Sequence, residues 1–142
     1  MQRSIITALL LACAVLSSSA LFAQSDRYSI QNSAYYSTFL DGAIASTYKI
    51  NRAPNSAVIN ISVQDTQNKN SSVTAEVSGT VTNILHQVKT LKFRPIKDGT
   101  AIYYISEIRF DNQDVLTFKI DVKPEGEKRS ERVKWQQKFW RQ

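Results

Sequence analysis

Hydrophobic and polar positions alternate through most of the chain after residue 27. The alternation is clearest from Leu116 to Lys123, where every second residue is Leu, Phe, Ile or Val and the residues between them are polar. A period of two sends successive side chains to opposite faces, so this segment is predicted to be a half-exposed β-strand. The preceding run, 101–110, is apolar on both faces, which predicts a central strand covered on both sides. Because the turn-forming residues Asp111 to Asp114 join the two runs, we expect a hairpin at the middle of an antiparallel sheet.

Five other segments have the pattern of strands: 28–36, 57–63, 73–81, 88–93 and 133–139. In the second of these, the odd-numbered residues are expected to face the core, and Val58, Asn60 and Ser62 to face water. Gly79 indicates a bulge or a close neighbouring backbone, and Pro95 places the strand before it at an edge or ends it there. About seven strands, with turn signals roughly every ten residues, predict an all-β fold, an immunoglobulin-like antiparallel β-sandwich.

One short helix interrupts this pattern near residues 41–48. Asp41 is a suitable N-cap, and Ile44 and Tyr48 lie one turn apart on the same helical face. Gly42 lowers the helical propensity, so one or two turns are expected.

The amino-terminal residues have the pattern of a secretory signal peptide. Arg3 supplies a basic head, an apolar run follows, and small residues lead to Ala23. Cleavage is predicted between Ala23 and Gln24, with cleavage after Ala20 as the alternative. The chain is thus divided into a leader, 1–23, and a single domain, 24–142. The mature protein is expected to be periplasmic, with no transmembrane segment.

Cys13 leaves a second interpretation of the leader open. It is the only cysteine, and the residues before it loosely resemble a lipoprotein cleavage box. In that case the protein would be lipid-anchored through Cys13. Otherwise Cys13 is removed with the leader, and the mature domain folds without disulfides.

Four segments follow one another in order after the leader: Tyr35–Leu40, Ala57–Val63, Ala101–Ile105 and Gln136–Trp140. Through them the chain resembles a bacterial exported family called domain of unknown function 4426. The resemblance implies a small exported protein of Gram-negative bacteria with an immunoglobulin-like fold. It implies no activity.

Positive charge is concentrated at the carboxyl end. Loss of Arg3 with the leader lowers the formal net charge from +6 to +5, and residues 127–142 hold six basic and two acidic side chains. The candidate anion-binding tail consists of Arg129, Arg132, Lys134 and Lys138. Its expected partners are lipopolysaccharide phosphates, anionic lipids or an acidic protein, since export excludes most nucleic-acid roles. The alternative is a solvated strand face.

The candidate recognition surface consists of Tyr35, Tyr36, Thr38, Phe39 and Arg52. Aromatic side chains and arginine dominate binding hot spots. The alternative is that these aromatic residues pack the short helix onto the sandwich.

The sequence offers little catalytic chemistry. A single histidine, His86, and no mature cysteine disfavour a Ser-His-Asp site or a zinc site, and no cofactor is expected. The turn 111–114 is the only candidate calcium loop, and we favour a polar turn there. We therefore expect a non-catalytic binding or accessory module that recognises an envelope protein or an anionic envelope polymer. The alternative is a metal-independent, carboxylate-based hydrolase of envelope polymers with Glu107 as its acid.

Overall fold

The computed structural model describes residues 27–142. Nine strands, one helix and a 3₁₀ turn make up this part of the chain. In order, they are β1 (Tyr28–Tyr36), the 3₁₀ turn (Ser37–Phe39), α1 (Gly42–Thr47), β2 (Ser56–Asp65), β3 (Ser71–Ser72), β4 (Ala75–Thr82), β5 (Val88–Leu91), β6 (Arg94–Asp98), β7 (Ala101–Arg109), β8 (Asp114–Pro124) and β9 (Glu131–Phe139). The predicted leader 1–23, its cleavage site and Cys13 lie outside the described residues.

The strands form two antiparallel sheets packed face to face. The first sheet has the order β1-β2-β7-β6, with the two-residue strand β3 beside β2, and the second has the order β5-β4-β8-β9. Without β3 and β5, this is the A-B-E-D and C-F-G arrangement of an immunoglobulin constant-type domain. The predicted sandwich with one short helix is therefore confirmed.

The predicted hairpin over residues 101–122 is wrong. β7 pairs with β2 and β6 in the first sheet, whereas β8 pairs with β4 and β9 in the second. The turn after Arg109 therefore connects the two sheets, because β7 and β8 pair with strands of different sheets. Both strands are central in their sheets, as expected. The alternation of a strand indicates that one of its faces is buried, but it does not identify the strand with which it pairs.

Two strands were missed because the sequence gives them weak patterns. β3 is only two residues long, and β6 contains a single buried apolar residue, Ile96. Pro95 lies in β6, which pairs only with β7 and forms the edge of its sheet. β5 ends at Leu91 and lies at the edge of the other sheet. An edge position was predicted for this strand because Pro95 follows it.

The core between the sheets is formed by the inward rows that the alternation identified. Ile59, Ile61, Phe118 and Ile120 are fully buried there. Gly79 marks a close approach of two strands, as predicted. A Cβ at this position would lie 2.5 Å from the carbonyl oxygen of Lys119, so only glycine fits without a backbone shift.

A second, smaller core lies on the outer face of the first sheet, beneath α1. It contains Ala45, Ile50, Val58, Ile96 and Ile105. Val58 was predicted to face water, and it is fully buried instead. Its side chain does point away from the main core, but α1 covers that face of β2.

The helix begins where the sequence indicated. The Asp41 carboxylate accepts a hydrogen bond from the backbone N–H of Ala43 at 2.8 Å, which satisfies a donor of the first turn. The chain then returns to β2 through a connection in which the backbone N–H of Ile50 donates to the carbonyl of Ala45. This helix positions the side chains that cover the outer face of the first sheet.

Candidate functional site

The predicted recognition surface does not form one patch, because two of its residues are neighbours on a strand. Tyr35 and Tyr36 end β1, so the pleat sends their side chains to opposite faces of the first sheet. Tyr35 packs against the small core beneath α1, and Tyr36 packs against the main core. Arg52 donates from Nη2 to the backbone carbonyl of Thr38 at 3.1 Å, so these two residues brace the 3₁₀ turn.

Tyr36 is the centre of an aromatic cluster at one edge of the sandwich. Its ring makes edge contacts with Phe39, Phe110 and Phe139, with centroid separations of 5.1, 5.9 and 5.5 Å. Its hydroxyl accepts a hydrogen bond from the backbone N–H of Trp140 at 3.0 Å. We call Tyr36, Phe39 and Trp140 the aromatic edge.

The two outer members of the aromatic edge face solvent. The exposed fractions of Phe39 and Trp140 are 68% and 47%. The Lys138 ammonium lies 4.2 Å from the centroid of the Trp140 ring, a cation–π contact. Part of the predicted recognition surface and part of the predicted basic tail thus meet at this edge, although they are about a hundred residues apart in sequence.

The remaining tail residues do not form a single anion site. Arg132 makes a bidentate ion pair with Asp121, with N–O distances of 2.8 and 2.9 Å. These hydrogen bonds hold the pKa of Asp121 below its usual value and raise the pKa of Arg132. Lys134 lies directly opposite Lys119 on the outer face of the second sheet, and Arg129 is exposed in the turn before β9.

A pocket of about 180 Å³ lies between α1 and the outer face of the first sheet. We call it the α1 pocket. Leu40 and Ile44 line it on the helix side, and Ile96 and Ile105 line it on the sheet side. Its walls are mostly apolar, and Tyr35, Tyr48 and Tyr103 complete them.

Two polar side chains also line the α1 pocket. The Oδ1 atom of Asn60 is buried and has no hydrogen-bond partner among residues 27–142. Asp98 is exposed at the rim, at the end of β6. Burial raises the pKa of the Tyr35 phenol above its ordinary value, because the environment disfavours a phenolate.

A sequence model described as Domain of unknown function (DUF4426) matches residues 22–142. The chain belongs to this family. The resemblance noted from four short segments is thereby confirmed. No curated protein matches the chain.

The fold of this DUF4426 chain is also similar to that of a solved member of the family. The crystal structure of a DUF4426 family protein from Pseudomonas aeruginosa PAO1 superimposes with a TM-score of 0.71 at 22% sequence identity. The match covers 82% of this chain and 90% of the Pseudomonas chain. At this identity the likeness extends to the fold alone.

The other residues singled out for chemistry are separate from one another. Glu107 accepts from the backbone N–H of Asn51 and lies 3.7 Å from Arg94, on the first sheet. His86 lies in the β4–β5 connection, with a backbone φ of 61°. In the turn 111–114, the Asn112 side-chain oxygen accepts from the backbone N–H of Arg141. Within residues 27–142, no three His, Cys, Asp or Glu side chains converge on one point.

Sequence reasoning missed most of the α1 pocket of this DUF4426 chain. Asn60 was assigned to a solvent-facing row, and Asp98 and Tyr103 were not among the candidate site residues. A polar residue between buried neighbours in a central strand is the signal that marks Asn60. Nothing local links it to Asp98, since Asn60 lies on β2 and Asp98 on β6, and the two strands are neighbours only through β7, which pairs with both. Within residues 27–142, no helix is long and apolar enough to cross a membrane.

Proposed function

We propose that this DUF4426 chain is a non-catalytic binding module of the bacterial cell envelope that recognises an acidic partner with its aromatic edge. The observation that carries the proposal is the exposure of Phe39 and Trp140, each in contact with Tyr36, with Lys138 over the indole ring. The proposed export rests on the leader pattern of residues 1–23.

The aromatic edge has the composition of a binding hot spot. Large aromatic side chains gain binding energy by burial, and a nearby cation selects partners with negative charge. Lys138 can keep its contact with the indole ring while its ammonium group meets a carboxylate or phosphate. An acidic segment of an envelope protein or an anionic envelope polymer fits this chemistry.

The edge is also held rigidly before any partner binds. The hydrogen bond from Trp140 to Tyr36 ties the end of β9 to the end of β1. The backbone N–H of Gln142 donates to the carbonyl of Pro54 at 3.0 Å, which fixes the last residue as well. A preorganised aromatic surface loses little conformational entropy on binding.

The test is affinity co-purification of the mature protein from its native envelope after mild cross-linking. A dominant partner should be recovered with the wild-type chain and lost with Phe39→Ala and Trp140→Ala. The matched control is Leu85→Ala, which removes an equally exposed apolar side chain (72% exposed) from the β4–β5 connection. Lys138→Gln should weaken the complex mainly at low salt, because a charge contact is screened as ionic strength rises.

The results that contradict the proposal are equally concrete. If Leu85→Ala reduces recovery as much as Phe39→Ala, the aromatic edge is not the recognition surface. Hydrolysis of envelope polymers by the wild-type protein, abolished by Glu107→Gln, would replace the binding module with the enzyme alternative. The intact mass of the purified protein tests export directly: a start at Gln24 supports it, and an acylated start at Cys13 identifies a lipoprotein.

A further inference from the structure

We propose that the α1 pocket binds a small organic cation, specifically an ammonium ion that also carries a hydrogen-bond donor. This site is separate from the aromatic edge, and nothing in the family description assigns it. The inference rests on three features of the pocket: tyrosines in its walls, one buried acceptor without a donor, and a carboxylate at the rim that belongs to no ion pair among residues 27–142.

The walls suit an alkylated ammonium group. Tyr35, Tyr48 and Tyr103 come from β1, the end of α1 and β7, so aromatic rings border the pocket from three elements. Tyrosine faces attract cations through the ring quadrupole, and the methyl groups of an alkylammonium also gain from contact with an apolar floor. Ile96 and Ile105 provide that floor.

The buried polar atom that lacks a partner in the pocket is an acceptor. The buried Asn60 Oδ1 has no donor, and a buried acceptor without a partner destabilises a fold by about 1–3 kcal/mol. An occupant that brings an O–H or N–H group to this atom removes that cost. The favoured ligand is therefore a hydrogen-bond donor as well as a cation.

The charge at the rim is negative. Within residues 27–142, the Asp98 carboxylate belongs to none of the four ion pairs. Arg94 shares the outer face of β6 with Asp98, but it is four residues away, roughly 13 Å along the strand. Its guanidinium is held by Glu107 and by the backbone carbonyl of Tyr48. Lys97, between Ile96 and Asp98, alternates to the other face.

An anion fits the pocket less well than a cation does, because Arg94 is already engaged. An uncharged apolar molecule would leave both Asn60 and Asp98 without a partner. The volume, about 180 Å³, accommodates a headgroup of several non-hydrogen atoms but not a large cofactor.

The test uses choline as the probe, since it combines a quaternary ammonium with a hydroxyl donor. Binding to the mature chain is measured by NMR titration, following the resonances of Tyr35, Tyr48 and Tyr103. Two comparison probes separate the contributions. The neutral carbon isostere of choline keeps the hydroxyl and lacks the charge, and tetramethylammonium keeps the charge and lacks the hydroxyl.

We expect choline to bind about tenfold more tightly than its neutral isostere, and tetramethylammonium to be intermediate. Asp98→Asn should weaken the preference for choline over the isostere, leaving only the part that the tyrosine rings supply. It should leave the Tm unchanged, since Asn-Gly also suits the turn that Asp98 and Gly99 begin. Asn60→Ala should bring choline and tetramethylammonium to nearly equal affinity. Asp111→Asn, an exposed carboxylate in another turn, is the matched control and should change neither ratio.

Two outcomes overturn the proposal. Equal affinity of choline and its neutral isostere would make this an apolar pocket with no preference for charge. Absence of saturable choline binding with the wild-type chain would leave no cation site at all. Because binding of the three probes to the α1 pocket does not involve the aromatic edge, these results are independent of the co-purification experiment.

Discussion

The aromatic edge and the α1 pocket begin with adjacent tyrosines and differ in almost every other respect. The edge carries a lysine and is supported by contacts with the main core. The pocket is concave, has a carboxylate at its rim and contains a buried acceptor without a donor. The comparison shows that aromatic residues in a sequence do not define a surface, since Tyr36 supports the fold whereas Tyr35 borders a cavity.

The largest difference between the two regions should appear in stability. Tyr36→Ala removes a ring that contacts Phe110 and Phe139, and we expect it to lower the free energy of unfolding by about 2–4 kcal/mol. Tyr35→Ala removes a half-buried ring from a pocket wall, and we expect a loss of about 1 kcal/mol. Urea unfolding of the mature chain measures both. Equal losses would mean that the two tyrosines share one structural role.

A smaller effect should follow from the hydroxyl of Tyr36 alone. Tyr36→Phe keeps the ring contacts and removes the acceptor for the backbone N–H of Trp140, so we expect a loss of about 1 kcal/mol. The Trp140 amide should also exchange its hydrogen faster. Tyr103→Phe is the control, since the Tyr103 hydroxyl lies at the pocket, and its effect should stay within about 0.5 kcal/mol. Unchanged exchange at Trp140 would show that this hydrogen bond does not hold the edge.

In the α1 pocket, replacing a polar side chain with an apolar one should raise the stability of the fold rather than lower it. Asn60→Leu removes the acceptor that lacks a donor, and we expect the free energy of unfolding to rise by about 0.5–1 kcal/mol. Ser62→Ala, two residues along the same face of β2, is the control and should be nearly neutral. A marked destabilisation by Asn60→Leu would indicate that Asn60 serves the fold rather than a ligand.

The smallest effect concerns pH. The pKa of Tyr35 is raised in the folded protein, so the neutral phenol is favoured by folding, and the stability it contributes is present below about pH 10. That stability is lost as the pH rises through the folded-state pKa. Tyr35→Phe cannot ionise, so its thermal stability should fall less than that of the wild type between pH 9 and 11. Parallel curves for the two proteins would show that burial of Tyr35 has no energetic consequence.

Much of the fold could be predicted because alternation is a local property. The inward rows of β2 and β8, the Asp41 cap and the close approach at Gly79 all follow from a few consecutive residues. The pairing of β7 with β2 and β6 could not be predicted in this way. It depends on which strands lie next to each other in each sheet, and these strands are distant in sequence. The turn after Arg109 is compatible either with a hairpin or with a connection between the two sheets.

The candidate sites were predictable only in part, for the same reason. The aromatic segment and the basic tail were identified separately, and the structure brings Phe39, Trp140 and Lys138 together through the contact between β1 and β9. Val58 and Asn60 share a face that was assigned to water, since the pattern of β2 alone does not reveal that α1 covers it. The α1 pocket forms because α1 lies over this face of β2.

The position of the two tyrosines on one strand determines how a change in the length of that strand would affect the two regions. Insertion or deletion of a single residue within β1 would exchange the faces of Tyr35 and Tyr36, and with them the roles of the two regions. Such length changes are tolerated in surface turns, for example around Asn68, but they would alter both regions at once in β1. In this chain, one region can therefore change independently of the other by substitution, but not by a change in the length of β1.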